Sequence, residues 1–288
     1  ILIPLVWLVI FQYIPMGGVA MAFQKYKIRG GLWGSEWVGF YQFEKFFRSY
    51  QFQRVLSNTI WLSVYRLITG FPLPILLALC LNAMLNVRYK KFAQMVTYIP
   101  HFISTVVLVG MMMTLFNPRV GLYGHLSVWL TGAVPPDLMS STRAVTNLYV
   151  WSAVWQNMGW DSIIYIAALS NVDSELHEAA QIDGADRFQR CLHIDFPCIL
   201  PTATILLIMS VGSILGIGFE KIYLMQNPLN LSATEVISTY VYKVSLAGQG
   251  NNDFSYGTAI GLFNAVINLV LLIGVNAISR KLSETSLW

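Results

Sequence analysis

The sequence predicts an all-α fold: a polytopic membrane helical bundle with six transmembrane helices and a hairpin of two short helices at one membrane face. Three observations carry this. Of 288 residues, 56% are hydrophobic and 11% charged, whereas soluble domains run near a quarter charged. Charge-free runs long enough to cross a bilayer recur along the chain. Between two of them, residues 178–197 form a charged insertion, EAAQIDGADRFQRCLHIDFP, patterned for two amphipathic helices.

Residues 1–24, 92–118, 144–160, 196–219 and 254–279 contain no Asp, Glu, Lys or Arg, and residues 55–87 contain only Arg66. Because an unpaired charge in the hydrocarbon core is costly, these runs place spans at roughly 1–23, 57–81, 92–116, 145–169, 199–219 and 257–279, the fourth extended through Asp161. The expected organisation is a first span with an external interfacial segment over residues 1–56, a core membrane domain over 57–281, and a short cytoplasmic tail at 282–288. The chain starts inside an apolar run without Met, so its N-terminus is expected to be trimmed. Cys80, Cys191 and Cys198 are too scattered for a disulfide framework or a zinc site, and no metal site is expected.

In the first connection, Phe40, Phe43, Phe46 and Phe47 recur at helical spacing around Glu44 and Lys45, which predicts a helix anchored in the interface. Gly70-Phe71-Pro72-Leu73-Pro74 predicts a bend in the second span, because proline removes a backbone donor. The loop at 117–143 carries an apolar stretch, 122–130, that suits a short helix. The larger loop at 220–256 suits a helix near 234–246 and a Gly/Asn-rich turn at 248–252. Together these loops form an external cap. Gly212 with Gly216, and Gly257 with Gly261, have the four-residue spacing of close helix packing.

In the charged insertion, Asp173 or Ser174 can cap a first helix whose Leu176, Ala179 and Ala180 share a face. Gly184 supplies the permissive backbone of the turn. A second helix, with Phe188, Cys191 and Leu192 on one face, is expected to stop before Pro197. Glu178, Ala179, Ala180, Gly184, Ile194 and Pro197 together resemble the EAA loop of the permease subunits of bacterial binding-protein-dependent ABC importers, with Phe196 where the motif usually has Leu; Asp183 and Ala185 would belong to the same ATPase-coupling loop. The resemblance implies the type I importer permease fold and an EAA loop at 173–197 whose coupling helices dock on a cytoplasmic ATPase. Glu178 would pair with a basic group there, Ala179 and Ala180 would allow close contact, and Gly184 would make the turn.

If that loop is cytoplasmic, the external side carries Lys25, Lys27, Arg29, Lys45, Arg48, Arg54, Arg119, Arg143, Lys221 and Lys243, ten cations against seven inside. That count runs against the positive-inside rule; the motif outweighs it.

Polar groups within spans are default candidates for function. Arg66, Asn157, Asp161 and Glu220, with Trp155 and its neighbours Trp151 and Trp160, form the candidate translocation path: hydroxyls of a sugar need polar partners and its ring faces stack on aromatics. Arg66 could meet an acidic substrate or pair with Asp161 as internal glue, the pairing being the expected role, and the tryptophans are expected chiefly to pack or sit at the membrane interface. No catalytic set appears, and without a G-x-x-x-x-G-K-[ST] motif the chain has no phosphate-cradling loop. ATP and Mg would therefore sit on the partner ATPase dimer. The resemblance further implies a second, homologous permease, an extracytoplasmic solute-binding protein and residence in the bacterial inner membrane. No nucleic-acid partner is expected.

Tyr13-Ile14-Pro15-Met16, Trp37-Val38-Gly39-Phe40, residues 70–82 and Gly159-Trp160-Asp161-Ser162-Ile163-Ile164-Tyr165 are similar to the carbohydrate-type permeases of complex oligo- and polysaccharides. Many of that branch have Asn where Asp161 stands. The ten external cations would suit an acidic glycan such as alginate or a pectin fragment. The rival readings are an ABC permease for another small solute, an ion-coupled secondary transporter, and a membrane enzyme of glycan assembly. The last lacks the clustered carboxylates or histidines it would need.

Overall fold

A helix from Thr142 to Leu169 is the element on which the others gather. In this computed structural model, which describes residues 2–247 and 252–282, the elements in order are α1 (Leu2–Phe23), the short strands β1 (Gln24–Lys25) and β2 (Glu36–Trp37), α2 (Tyr41–Phe47), α3 (Tyr50–Asn82), α4 (Val87–Phe102), α5 (Thr105–Leu115), α6 (Leu122–Thr131), α7 (Thr142–Leu169), α8 (Ser174–Ile182), α9 (Arg187–Gly212), α10 (Phe219–Met225), α11 (Leu231–Thr234), α12 (Ile237–Ser245) and α13 (Phe254–Leu282). The strands pair antiparallel, Gln24 opposite Trp37.

Among the described residues, four helices are long and apolar enough to cross a membrane: α1, α3, α9 and α13. The number rises to five if α4 and α5 count as one bent span. Helix α7 has 28 residues but carries Asn147, Gln156, Asn157 and Asp161, and it is less apolar than those four.

The third expected span is not one straight helix: α4 and α5 meet at 98°. Its cause lies in the sequence, since Pro100 tightens residues 99–102 into a 3₁₀ turn and Ser104 starts a new helix by accepting the Val107 N–H. Proline ends the regular ladder and the serine caps the next one.

The second hairpin helix does not stop before Pro197 but runs on as α9 through Gly212. A π-turn at Cys191–Asp195, in which Phe196 N–H donates to Cys191 O, widens the backbone immediately upstream of Pro197. Such a bulge makes room where a proline ring would otherwise press on the preceding turn. In α3 the helical dihedrals likewise carry on through Phe71 into Pro72.

Along α7, Val145, Tyr149, Ala153, Ser162, Tyr165 and Leu169 are buried at helical spacing. Leu62, Leu108, Val145, Tyr149 and Ile222 form one core; Ile75, Tyr165, Leu169 and Ile199 form a second. In a bilayer, helices associate by close packing rather than by expulsion of water, and Gly159 shows it: a Cβ there would lie 2.0 Å from Thr97 O on α4. Of the two glycine pairs, only Gly212, against Leu272, and Gly257, against Ser245, make such contacts with another helix.

Helix α2 forms where the phenylalanine spacing predicts it, with Phe46 turned inward. Phe46 is fully buried with Val55, Ile237, Tyr256 and Ile260, which ties the first connection to the loops expected to form the cap, while Phe40, Tyr41 and Phe47 remain exposed. In that cap, Glu235 is held by Arg54 and Lys243, and Asn230 Nδ2 donates to Met139 O (2.7 Å) and Met225 O (2.9 Å). The expected turn at 248–252 lies mostly, and the tail beyond Leu282 wholly, outside the described residues.

Candidate functional site

The hairpin is built by local rules. Asp173, not Ser174, is the N-cap of α8, its carboxylate accepting the Glu175 N–H at 3.0 Å. At the other end Gly184 has φ +80. Ala185 N–H donates to Ala180 O (2.8 Å) and Gly184 N–H to Gln181 O (3.1 Å), the paired bonds that close a helix through a left-handed residue. Asp186 and Gln189 then form a capping box that opens α9.

Glu178, Ala179, Asp183 and Gly184 are exposed, Ala180, Ala185 and Ile194 half-buried, and Pro197 exposed. Leu176 (51%), Ile182 (88%) and Phe188 (74%) are apolar side chains open to solvent on this hairpin. Beneath them Asp195 is buried, its Oδ1 lying 3.2 Å from His177 Nε2 and accepting from Asn82 Nδ2 at 3.4 Å. One carboxylate thus joins α8, α9 and the end of α3.

The second feature is a cavity of about 340 Å³ between α3, α7 and α9, lined by Ser63, Arg66, Asn157, Asp161, Tyr165 and Ser210 among others. A smaller one of about 240 Å³ shares Arg66, Ala153 and Asn157 and adds Tyr149, Gln156, Glu220 and Lys221. Arg66, Asn157, Asp161 and Glu220 are therefore brought to adjoining cavities. Trp155 lines neither; Trp151 Nε1 donates to Tyr65 OH (3.1 Å), and Trp160 stacks on His101 with 4.4 Å between ring centroids. Arg66 and Asp161 form no ion pair: among the described residues no carboxylate oxygen lies within 4.0 Å of the guanidinium.

His101 was not legible as a site residue. It sits in the Pro100 turn, with Nδ1 3.1 Å from Asn157 Oδ1. An ionisable ring beside a proline inside a run free of Lys, Arg, Asp and Glu was the signal available. Several of the cations expected on the external side, by contrast, are already occupied: Lys45 pairs with Asp253 (2.7 Å), Arg48 with Glu44 (2.6 Å), and Arg54 and Lys243 with Glu235, while Lys221 is buried. Among the described residues no three of His, Cys, Asp and Glu gather as metal ligands would.

Residues 70–284 match the family described as the binding-protein-dependent transport system inner membrane component, well over half of the chain. The chain belongs to that family. This inner membrane component is multi-pass, and it is a transport subunit rather than an enzyme: ATP hydrolysis falls to separate ATPase subunits of such importers. It is 40% identical to protein LplB of Bacillus subtilis (strain 168), over 100% of this chain and 90% of that one. It is 38% identical to the polygalacturonan/rhamnogalacturonan transport system permease protein YteP of the same organism, over 98% and 87%. Among solved structures it is similar to a chain of a bacterial alginate ABC transporter in complex with an alginate pentasaccharide-bound periplasmic protein, with TM-score 0.90, 38% identity and coverage of 99% and 94%.

Proposed function

We propose that this inner membrane component is the permease subunit of an ATP-driven importer that passes an oligo- or polysaccharide, acidic in character, from an external binding protein into the cytoplasm by alternating access. The observation that carries the reading is the continuity of α9. One helix starts in the exposed hairpin at Arg187 and ends at Gly212, and its Leu206 and Ser210 line the larger cavity. A displacement applied at the hairpin is carried along one continuous helix to the cavity wall.

The family and this geometry support the following partners. A dimer of ATP-binding cassette subunits, carrying ATP and Mg, docks on Leu176, Ala179, Ile182 and Phe188, with Glu178 paired to a basic group. A second, homologous permease closes the open side of the cavity, where charged Arg66 and Asp161 could not face lipid cheaply. A solute-binding protein delivers to the external cap. The glycan class is supported by the relatives: one is named for polygalacturonan, a polyuronate, and the similar solved transporter imports the acidic polysaccharide alginate.

The test is ATP hydrolysis and uptake by the assembled importer in liposomes, with binding protein and candidate glycans added singly. One glycan that stimulates hydrolysis and accumulates inside supports the reading. Uptake that ignores ATP but follows a proton gradient replaces it with a secondary transporter.

A further inference from the structure

Arg66 stands within the membrane stretch of α3 and is exposed in the single chain. None of the described carboxylates reaches it within 4.0 Å; Asp161 stands off across the larger cavity, which both residues line, and the guanidinium reaches the Tyr149 side chain. Lys221, from α10, is 8% exposed. Its Nζ is enclosed with no hydrogen-bond acceptor and lies 5.7 Å from the centroid of the Tyr149 ring. Both cations line the 240 Å³ cavity, together with Thr105, Gln156 and Asn157. Glu220 lines it as well, exposed to solvent and unpaired with either cation. Asp161 lines only the adjoining cavity.

Two like charges in surroundings of low dielectric repel strongly, and an enclosed ammonium without an acceptor is costly. An arrangement of this kind is relieved when an anion enters. A guanidinium open to a cavity is the side chain best shaped to meet a carboxylate.

We propose that Arg66 and Lys221 form a carboxylate-recognising subsite in the translocation path, where a uronic-acid unit of the passing glycan is held. Arg66 makes the contact, and Lys221 adds positive potential from behind without touching the ligand. The amides of Gln156 and Asn157 and the hydroxyl of Thr105 offer partners to ring hydroxyls. A single contacting cation gives a hold firm enough to favour entry and weak enough for release, as a conducting pathway requires. The inference rests on the importer reading above.

The test uses the complete importer, held outward-facing by ATP on a hydrolysis-inactive ATPase and freed of binding protein, so that selection by that protein does not enter. The probes are a galacturonic acid trisaccharide and the same trisaccharide with its carboxyls reduced to primary alcohols. The wild type should bind the charged probe more tightly. Arg66→Gln should weaken that binding roughly tenfold, the scale of one charge-assisted hydrogen bond, and Lys221→Met severalfold, with the reduced probe little changed. Arg66→Lys should restore part of the loss.

Equal binding of the two probes by the wild type overturns the subsite, as does unchanged binding of the charged probe by Arg66→Gln. If Arg66→Gln fails to assemble, the wild-type ratio and Arg66→Lys decide. Failure of the importer reading shows separately, as a wild type that takes up no oligosaccharide with ATP in liposomes.

Discussion

His177 Nε2 lies 3.2 Å from the buried Oδ1 of Asp195, so that the first hairpin helix is fastened to the root of α9. Asn82, at the end of α3, donates to the same oxygen. The hairpin is therefore tied to two of the three helices that wall the cavity. Removing the carboxylate strands two polar groups, at a cost of about 1–3 kcal/mol. Asp195→Ala should lower the amount of glycan imported per ATP hydrolysed, with Asp195→Asn falling between it and wild type. The ratio of uptake to phosphate release in liposomes measures this; an unchanged ratio for Asp195→Ala would remove the fastening role.

Gly184 makes the turn at φ +80, and an added Cβ would meet nothing within 4 Å. Alanine therefore costs only the backbone strain of the left-handed region, about 1–2 kcal/mol, and should weaken coupling mildly. Proline cannot adopt positive φ and loses the N–H that bonds to Gln181 O. Gly184→Pro should uncouple hydrolysis from uptake while the subunit still inserts, as membrane fractionation would report. Normal uptake by Gly184→Pro would sink the coupling assignment.

Those two cases show how far the sequence could be read. The hairpin was legible because its rules are local: a capping Asp, a four-residue apolar repeat and a glycine all lie within a few residues of one another. The role of Asp195 was not, because its partners His177 and Asn82 come from other elements. Arg66 and Asp161 were legible as charges in apolar runs, yet whether they pair depended on helix rotation, which periodicity does not fix. The 98° break was written in Pro100 and Ser104 but hidden by counting only full charges. Trp155 fits a sugar platform by composition alone; its position on α7 turns it away from both cavities.

Glu235 is the acceptor for both Arg54 and Lys243 and is nearly buried, while the two cations remain about one-third exposed. Losing its charge leaves them partly solvated, so the cost falls below that of a fully buried pair, about 1–2 kcal/mol. Glu235→Gln should speed amide hydrogen exchange across α11 and α12 and reduce stimulation of ATP hydrolysis by the binding protein. Exchange rates equal to wild type would show that the asparagine bonds of the cap suffice without the ion pairs.

Gly159 and Gly110 form a matched pair for testing close packing. A Cβ on Gly159 would lie 2.0 Å from Thr97 O, whereas one on Gly110, in α5, would meet nothing within 4 Å. Gly159→Ala must push α4 away from α7, and overpacking of this kind costs about 1–3 kcal/mol. Gly110→Ala should be neutral or stabilising by up to about 1 kcal/mol, since alanine suits a helix better than glycine. Thermal unfolding of the detergent-solubilised complex should separate them, with Gly159→Ala lower and Gly110→Ala equal or higher. Because Asn157 and Asp161 lie within two residues of Gly159 on the same helix, the displaced α7 should also slow uptake; Gly159→Ala with wild-type stability and uptake would mean that α4 yields freely at the contact.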